Sequence, residues 1–284
     1  MNITIKRCFS VLLFCGLSWH SWAAANVLTP VRGDTPEQKK GFTIAAVSDR
    51  SDRGFGDSEV DVEMILKNAA GQESRRVMRF STLEVADEKI GDKTMILFST
   101  PKDVEGTALL SHAKMVEPDN QWLYLPALKR VKRISSKNKS GPFVGSEFAY
   151  EDFTSTELNK YDYTWLRSEA CGALTCEVVE RTPLYKDSGY TRQVAWIDQQ
   201  HSQLRKVDFY DRRNTLLKTL LLEDYKSYPV ENKSKQSVDV WRFHKLSMLN
   251  HKNNKTTDLV FSDYQFNVGL RETDFVKSKL KNLP

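Results

Sequence analysis

The sequence predicts a mainly β fold built around one large antiparallel sheet. Three observations carry this. Strand-like runs return every ~10–14 residues with turn residues between them, the rhythm of a meandering antiparallel sheet. Many of these runs alternate apolar and polar side chains with period two, as a strand with one buried face does. No helix-bundle pattern, low-complexity tract or composition break marks a second domain in the 284 residues.

The elements follow in order. Lys6 and Arg7 precede an apolar run at residues 11–17, and Ala23, Ala24 and Ala25 follow it. That order is the signature of a secretory signal peptide, cleaved after Ala23 or Ala25. The apolar run falls short of the ~20 residues a spanning helix needs. A lipoprotein anchor at Cys15 is disfavoured by the bulky Phe14 before it. The expected mature chain, residues 26–284, is one soluble periplasmic domain of roughly 260 residues, a usual length for a single barrel or sandwich. Thr35-Pro36-Glu37-Gln38 forms a capping box with proline at the first helical position. The expected helix runs over 36–47 and buries Phe42, Ala45 and Ile44.

Strands follow a polar, glycine-bearing loop at 49–57. Val60, Val62, Met64 and Leu66 share one face of the first, with Asp61, Glu63, Ile65 and Lys67 on the other. The return strand over 75–85 carries Met78 and Phe80. Residues 94–98 read as a strand covered on both faces, and residues 107–115 as its neighbour. Next come Trp122-Leu123-Tyr124-Leu125-Pro126, a basic run at 129–133 and a Lys/Ser/Asn loop leading to 145–153. Tyr161, Tyr163 and Trp165 share a strand face, as do Val194 and Trp196. Further strands are expected over 176–180, 204–210, 216–222, 238–249 and 259–268. Residues 228–237 read as a long hairpin loop, and 273–280 as a closing helix.

Charge and cysteine usage restrict function. The chain has 42 basic and 37 acidic residues, and the leader takes Lys6 and Arg7 with it. So mild an excess on an exported protein gives no case for nucleic acid. Cys171 and Cys176 flank Gly172-Ala173-Leu174-Thr175, a turn-like spacer, and an oxidising compartment makes a local disulfide the natural reading. Apart from His20, the histidines are His112, His201, His244 and His251. They form no zinc motif, and no nucleophile elbow, phosphate loop or dinucleotide fingerprint occurs. Glu151 and Asp152 are adjacent, so strand geometry would point them apart. No enzyme activity, cofactor or metal is expected.

The residues that set this chain apart are residues 98–107 (FSTPKDVEGT), 121–134 (QWLYLPALKRVKRI) and 145–152 (GSEFAYED). In this order they resemble the bacterial outer-membrane lipoprotein-sorting, LolA-like, family, and the resemblance runs from about Gly41 to the C terminus. It implies an unclosed antiparallel β-barrel with a helical lid and a concave apolar face that takes acyl chains. It also implies an association with inner-membrane exporters of the resistance-nodulation-division (RND) type.

Physical chemistry supports that reading independently. Each buried CH₂ contributes ~0.8 kcal/mol, so a concave apolar sheet can bind lipid or lipoprotein acyl chains without any catalytic group. The candidate wall residues are Val60, Val62, Met64, Met78, Phe80, Trp122, Tyr124, Trp196, Leu220 and Leu222, although residues of this kind are more often plain core than ligand wall. The candidate lids are helix 36–47 and a short helical stretch near 148–153. Lys129, Arg130, Lys132 and Arg133 are expected either as a rim meeting anionic headgroups or an acidic partner, or as a solvated edge strand whose charges block edge pairing. Residues 145–152 are expected to form a structural cap. The leading function is a periplasmic carrier making only transient membrane contact. The alternatives are a non-carrying adaptor of an inner-membrane exporter and a lipid-modifying hydrolase.

Overall fold

The computed structural model describes residues 31–85, 87, 90–154, 157–232 and 234–283. The expected leader at 1–25 and the Cys15 anchor lie outside the described residues. Among the described residues, no helix is long and apolar enough to cross a membrane.

One helix, α1 (Pro36–Ser51), precedes the strands. Its start is the expected capping box, with Thr35 Oγ1 accepting from Gln38 N and Gln38 Oε1 accepting from Thr35 N at 3.2 Å. It runs one turn past the expected end, where Arg53 Nε donates to Asp49 Oδ2 at 3.1 Å. The strands are β1 (Asp57–Lys67), β2 (Glu73–Leu83), β3 (Ile90–Thr100), β4 (Ala108–Lys114), β5 (Asn120–Leu125) and β6 (Arg130–Ile134). After a long connection come β7 (Tyr161–Cys171), β8 (Leu174–Pro183), β9 (Tyr190–Asp198), β10 (Leu204–Asp211) and β11 (Leu216–Glu223). The chain ends with β12 (Lys226–Glu231), β13 (Ser237–Arg242), β14 (Lys245–Asn250) and β15 (Thr256–Phe266).

Thirteen of these strands make one sheet, in the order β6-β5-β4-β3-β2-β1-β15-β14-β11-β10-β9-β8-β7. Every neighbouring pair is antiparallel, and β6 and β7 remain unpaired edges. Two meanders therefore run outward from a central seam, where β1 pairs with β15 in the register Val62↔Phe261 and Met64↔Leu259. The remaining two strands, β12 and β13, form a separate ribbon. The expected single strand over 238–249 is thus two, because the chain leaves the ribbon at Phe243 and His244 to join the sheet. The expected loop at 228–237 is mostly that ribbon's hairpin.

Period-two alternation places the core. Val60, Val62 and Met64 on β1, Met78 on β2, Ile96 and Phe98 on β3, and Leu259 and Phe261 on β15 all project from the concave face. Helix α1 packs Phe42, Ala45 and Ala46 on Tyr161, Tyr163 and Val179 of β7 and β8. It comes very close to the sheet at Gly41, where an added Cβ would lie 2.6 Å from the Trp165 backbone nitrogen. The convex face is covered locally by the C-terminal segment. That segment forms two 3₁₀ turns, Glu272–Phe275 and Lys277–Asn282, rather than the expected α-helix. Its Phe275 and Leu280 are buried against Ala108, Leu110, Trp122 and Tyr124. A disulfide joins Cys171 to Cys176 across the β7–β8 turn.

Candidate functional site

The connection from β6 to β7 decides how much of the concave face stays open. It places Phe143, Phe148 and Phe153 inside the half-barrel, with ring centroids 4.6 Å apart for Phe143–Phe153 and 5.7 Å for Phe98–Phe143. This aromatic plug fills one end of the trough. Polar pins hold it from several strands. Arg76 on β2 donates to Val144 O, and Asn250 on β14 donates to Glu147 Oε2 at 2.6 Å. Lys218 on β11 pairs with Asp152 Oδ2 at 2.5 Å, and both side chains are nearly fully buried. Asp152 also accepts from Ala149 N at 2.7 Å and from Tyr190 OH at 2.8 Å. Glu151 accepts from Tyr185 OH at 2.7 Å and Gly189 N at 2.9 Å. The acidic pair of the sequence is therefore structural, and its partners account for both carboxylates. The expected lid near 148–153 is part of a pinned plug that carries the 3₁₀ turns Phe143–Gly145 and Tyr150–Phe153.

Beyond the plug the trough is open, forming a cavity of 510 Å³. That volume lies within the ~300–1,000 Å³ of small-molecule sites. Its floor is aliphatic and aromatic, with Val60, Phe80, Val207, Leu220, Leu222 and Phe261 among the lining residues. One side is α1, through Ala45, Ser48, Asp49 and Asp52. The helix thus flanks the cavity as expected of a lid. At that end the wall becomes polar, with Arg53, Asp92, Glu157, Arg181 and Arg242. Burial pushes the Glu157 carboxyl up to about 7, and Asp92 up to about 6. Among the described residues, no group of three or more His, Cys, Asp or Glu is placed to hold a metal ion.

The expected wall residues divide into three sets. Val60, Phe80, Leu220 and Leu222 line the cavity. Val62, Met64 and Met78 are on the same concave face but fully buried in the closed core, away from the cavity surface. Trp122, Tyr124 and Trp196 point the other way. Leu123 is the concave residue of β5, so Trp122 and Tyr124 project to the convex face beneath the C-terminal segment. On β9, Gln193, Ala195 and Ile197 line the cavity, which puts Trp196 outside with Val178, Val194 and Cys176. There the Trp196 ring receives Lys206 at 4.1 Å from its centroid. Both strands are covered on both faces, so the alternation groups residues correctly without telling which group faces the cavity. The polar end was missed for another reason. Its residues come from the loop after α1, from β3, β8 and β13, and from the connection before β7, and no local spacing joins them.

The basic run is at the sheet edge. Lys129 caps the turn after Pro126 in a left-handed conformation, with φ 48°. Arg130, Lys132 and Arg133 are exposed on β6, while Ile134 is buried in the concave core and Val131 packs in the convex cluster. Arg133 Nη2 donates to Asn120 Oδ1 at 2.6 Å. Lys129, Arg130 and Lys132 form no ion pair among the described residues.

Comparison with known proteins agrees with this geometry. A family model described only as an uncharacterized protein matches residues 91–282. A crystal structure from Vibrio parahaemolyticus, described as an outer membrane lipoprotein-sorting protein domain, is 50% identical with a TM-score of 0.80. The match covers 86% of this chain and 99% of that one. A DUF1329 family protein from Desulfovibrio piger is 26% identical with a TM-score of 0.78, over 87% of this chain and 100% of its own. A LolA superfamily protein from Nitrosomonas europaea shares the fold at 20% identity and a TM-score of 0.63, over 83% of this chain and 97% of its own. No curated protein matches the chain. With half its residues identical over nearly the whole of the Vibrio domain, and with the same unclosed sheet, the chain belongs to the LolA-like, outer membrane lipoprotein-sorting family.

Proposed function

We propose that the protein is a periplasmic carrier whose trough takes the acyl chains of a lipid or lipoprotein and passes them towards the outer membrane. The observation that carries this reading is the 510 Å³ cavity on the concave face, left open although the plug fills the other end. Burying about ten methylenes there contributes roughly 8 kcal/mol before the costs of association. The wall supplies the means of binding through surface that is mostly hydrocarbon and needs no chemical step. Partnership with an inner-membrane exporter of the RND type rests on family resemblance alone and is part of the same proposal.

The test has two arms. Protein purified from its own periplasm is extracted and analysed by mass spectrometry for co-purifying lipid, and uptake of a fluorescent fatty acid is titrated. Bound lipid and saturable uptake are expected, with uptake weakened by about tenfold or more in Leu220→Asp, which puts a charge on the apolar floor. Absence of both lipid and uptake would sink the carrier and favour the adaptor.

A further inference from the structure

Six carboxylates line the cavity, and four of them have their own partners. Arg53 holds Asp49, with Nε to Oδ2 at 3.1 Å. Arg242 holds Asp52, Lys218 holds Asp152, and Glu151 takes the Tyr185 hydroxyl and the Gly189 amide. Glu157 and Asp92 are different. Glu157 is 4% exposed, yet its Oε2 receives no hydrogen bond among the described residues. Its nearest cation in an ion pair is the half-exposed Arg53, whose Nη2 is 3.8 Å away. Asp92 takes one hydrogen bond, from Val85 N to Oδ1 at 3.0 Å, and no ion pair among the described residues.

A buried carboxylate oxygen without a donor costs about 1–3 kcal/mol or more, and native structures seldom leave one so. The fold nonetheless makes room for it. Gly91, the residue before Asp92, presses on the Glu157 side chain so closely that an added Cβ would lie 2.3 Å from Oε1. Any larger residue there would displace the carboxylate. Both acids open onto the polar end of the trough, where Arg53 and Arg242 are already held by Asp49 and Asp52 and Arg181 by Gln193. A ligand whose chain occupies the floor therefore brings its head to this pair.

We propose that this end of the cavity is a headgroup subsite for a primary ammonium, held by Glu157 and Asp92, on a ligand whose alkyl chain occupies the floor. It rests on the carrier reading. An ammonium has three donors and no acceptor, which suits two carboxylates left, among the described residues, with unfilled acceptor positions. Charge-assisted hydrogen bonds to carboxylates are the stronger kind, and the low-dielectric wall strengthens them further. A carboxylate head would bring no donor to Glu157 and Asp92, and an alcohol only one. Burial is the main cause of the raised proton affinity of Glu157 and outweighs the attraction of Arg53; a ligand cation would offset it.

The test compares dodecylamine, dodecanol and dodecanoate, each below its micelle concentration, as competitors of a bound fluorescent fatty acid at pH 8. The amine is expected to bind about tenfold tighter than the alcohol, as one added charge-assisted contact implies. The ratio falls towards one in Glu157→Gln, and also in Gly91→Ala, which pushes Glu157 aside. The wild-type ratio alone requires no variant to fold. Equal affinities, or preference for the acid or alcohol, overturn the subsite while the carrier stands. Failure of all three competitors and of the probe overturns both. An amine preference that survives both variants overturns the assignment to this pair. Lysophosphatidylethanolamine and a palmitoylated peptide with a free lysine then name the source of the ammonium. Glu157-dependent binding of either supports the subsite, and binding of neither overturns it.

Discussion

Glu157 shows how one side chain can couple the cavity to stability. In the folded protein its carboxyl holds a proton up to about pH 7, against an ordinary value of 4.5. Between those limits the folded state binds more protons than the unfolded state, so stability falls as pH rises through the window. The loss is on the order of 3 kcal/mol by pH 8, at 1.36 kcal/mol per unit. Asp92 acts in the same direction between its ordinary 3.8 and about 6. Glu157→Gln is accordingly expected to raise the ligand-free melting temperature at pH 8 and to leave it nearly unchanged at pH 4.5. Thermal melts at the two pH values check this, and equal effects at both would refute the buried, donor-poor account of Glu157. None of this was legible in the sequence, where Glu157 is one acid among many and its isolation depends on Gly91, 66 positions earlier by numbering.

At the scale of elements, the sequence was most informative where one strand face is wet. On β1, acids alternate with Val60, Val62 and Met64, and the concave side follows directly. On β5 and β9 both faces are apolar, and the larger aromatic residues drew the eye to the wrong one. The reason is physical: the C-terminal turns and the disulfide hairpin supply a second apolar environment outside the sheet. This makes a separable prediction. Phe143→Ala, which removes a fully buried ring from the plug, is expected to cost about 3–5 kcal/mol and to enlarge the trough, changing fatty-acid affinity. Trp122→Ala is expected to lower stability with fatty-acid affinity unchanged, since its ring packs beside His112 at 5.0 Å on the far side. Denaturant titration paired with probe binding reads both. A loss of affinity in Trp122→Ala without unfolding would return that residue to the cavity wall.

For the molecule as a whole, the unclosed sheet, the single flanking helix and the family were all readable, because regular strand spacing and three long segments carried them. The plug was not, since its aromatics are scattered through a polar loop and only the pins from β2, β9, β11 and β14 explain its course. The basic edge belongs to this scale too. Among the described residues the side chains of Lys129, Arg130 and Lys132 form no ion pair, which leaves them to meet an anionic surface outside the molecule, while their charge also discourages strand addition at β6. Arg130→Glu with Lys132→Glu is expected to leave the melting temperature within about 1 °C, as exposed substitutions contribute within ±0.5 kcal/mol. Binding to vesicles containing anionic lipid is expected to fall at least several-fold at low salt, and a salt titration should erase the difference. Unchanged vesicle binding would leave the edge with a purely protective role.

The central seam also sets an order of events. β1 and β15 are adjacent in the sheet but almost 200 residues apart in the chain, and each meander on either side can form only from its own neighbours. Loop closure over that distance is the slowest kind of contact to make. A ribosome must therefore finish nearly the whole polypeptide before the two meanders can be sewn together. Until then the concave face has no continuous wall across the seam. The acquisition of a lipid-sized cavity is deferred to the last strand synthesised.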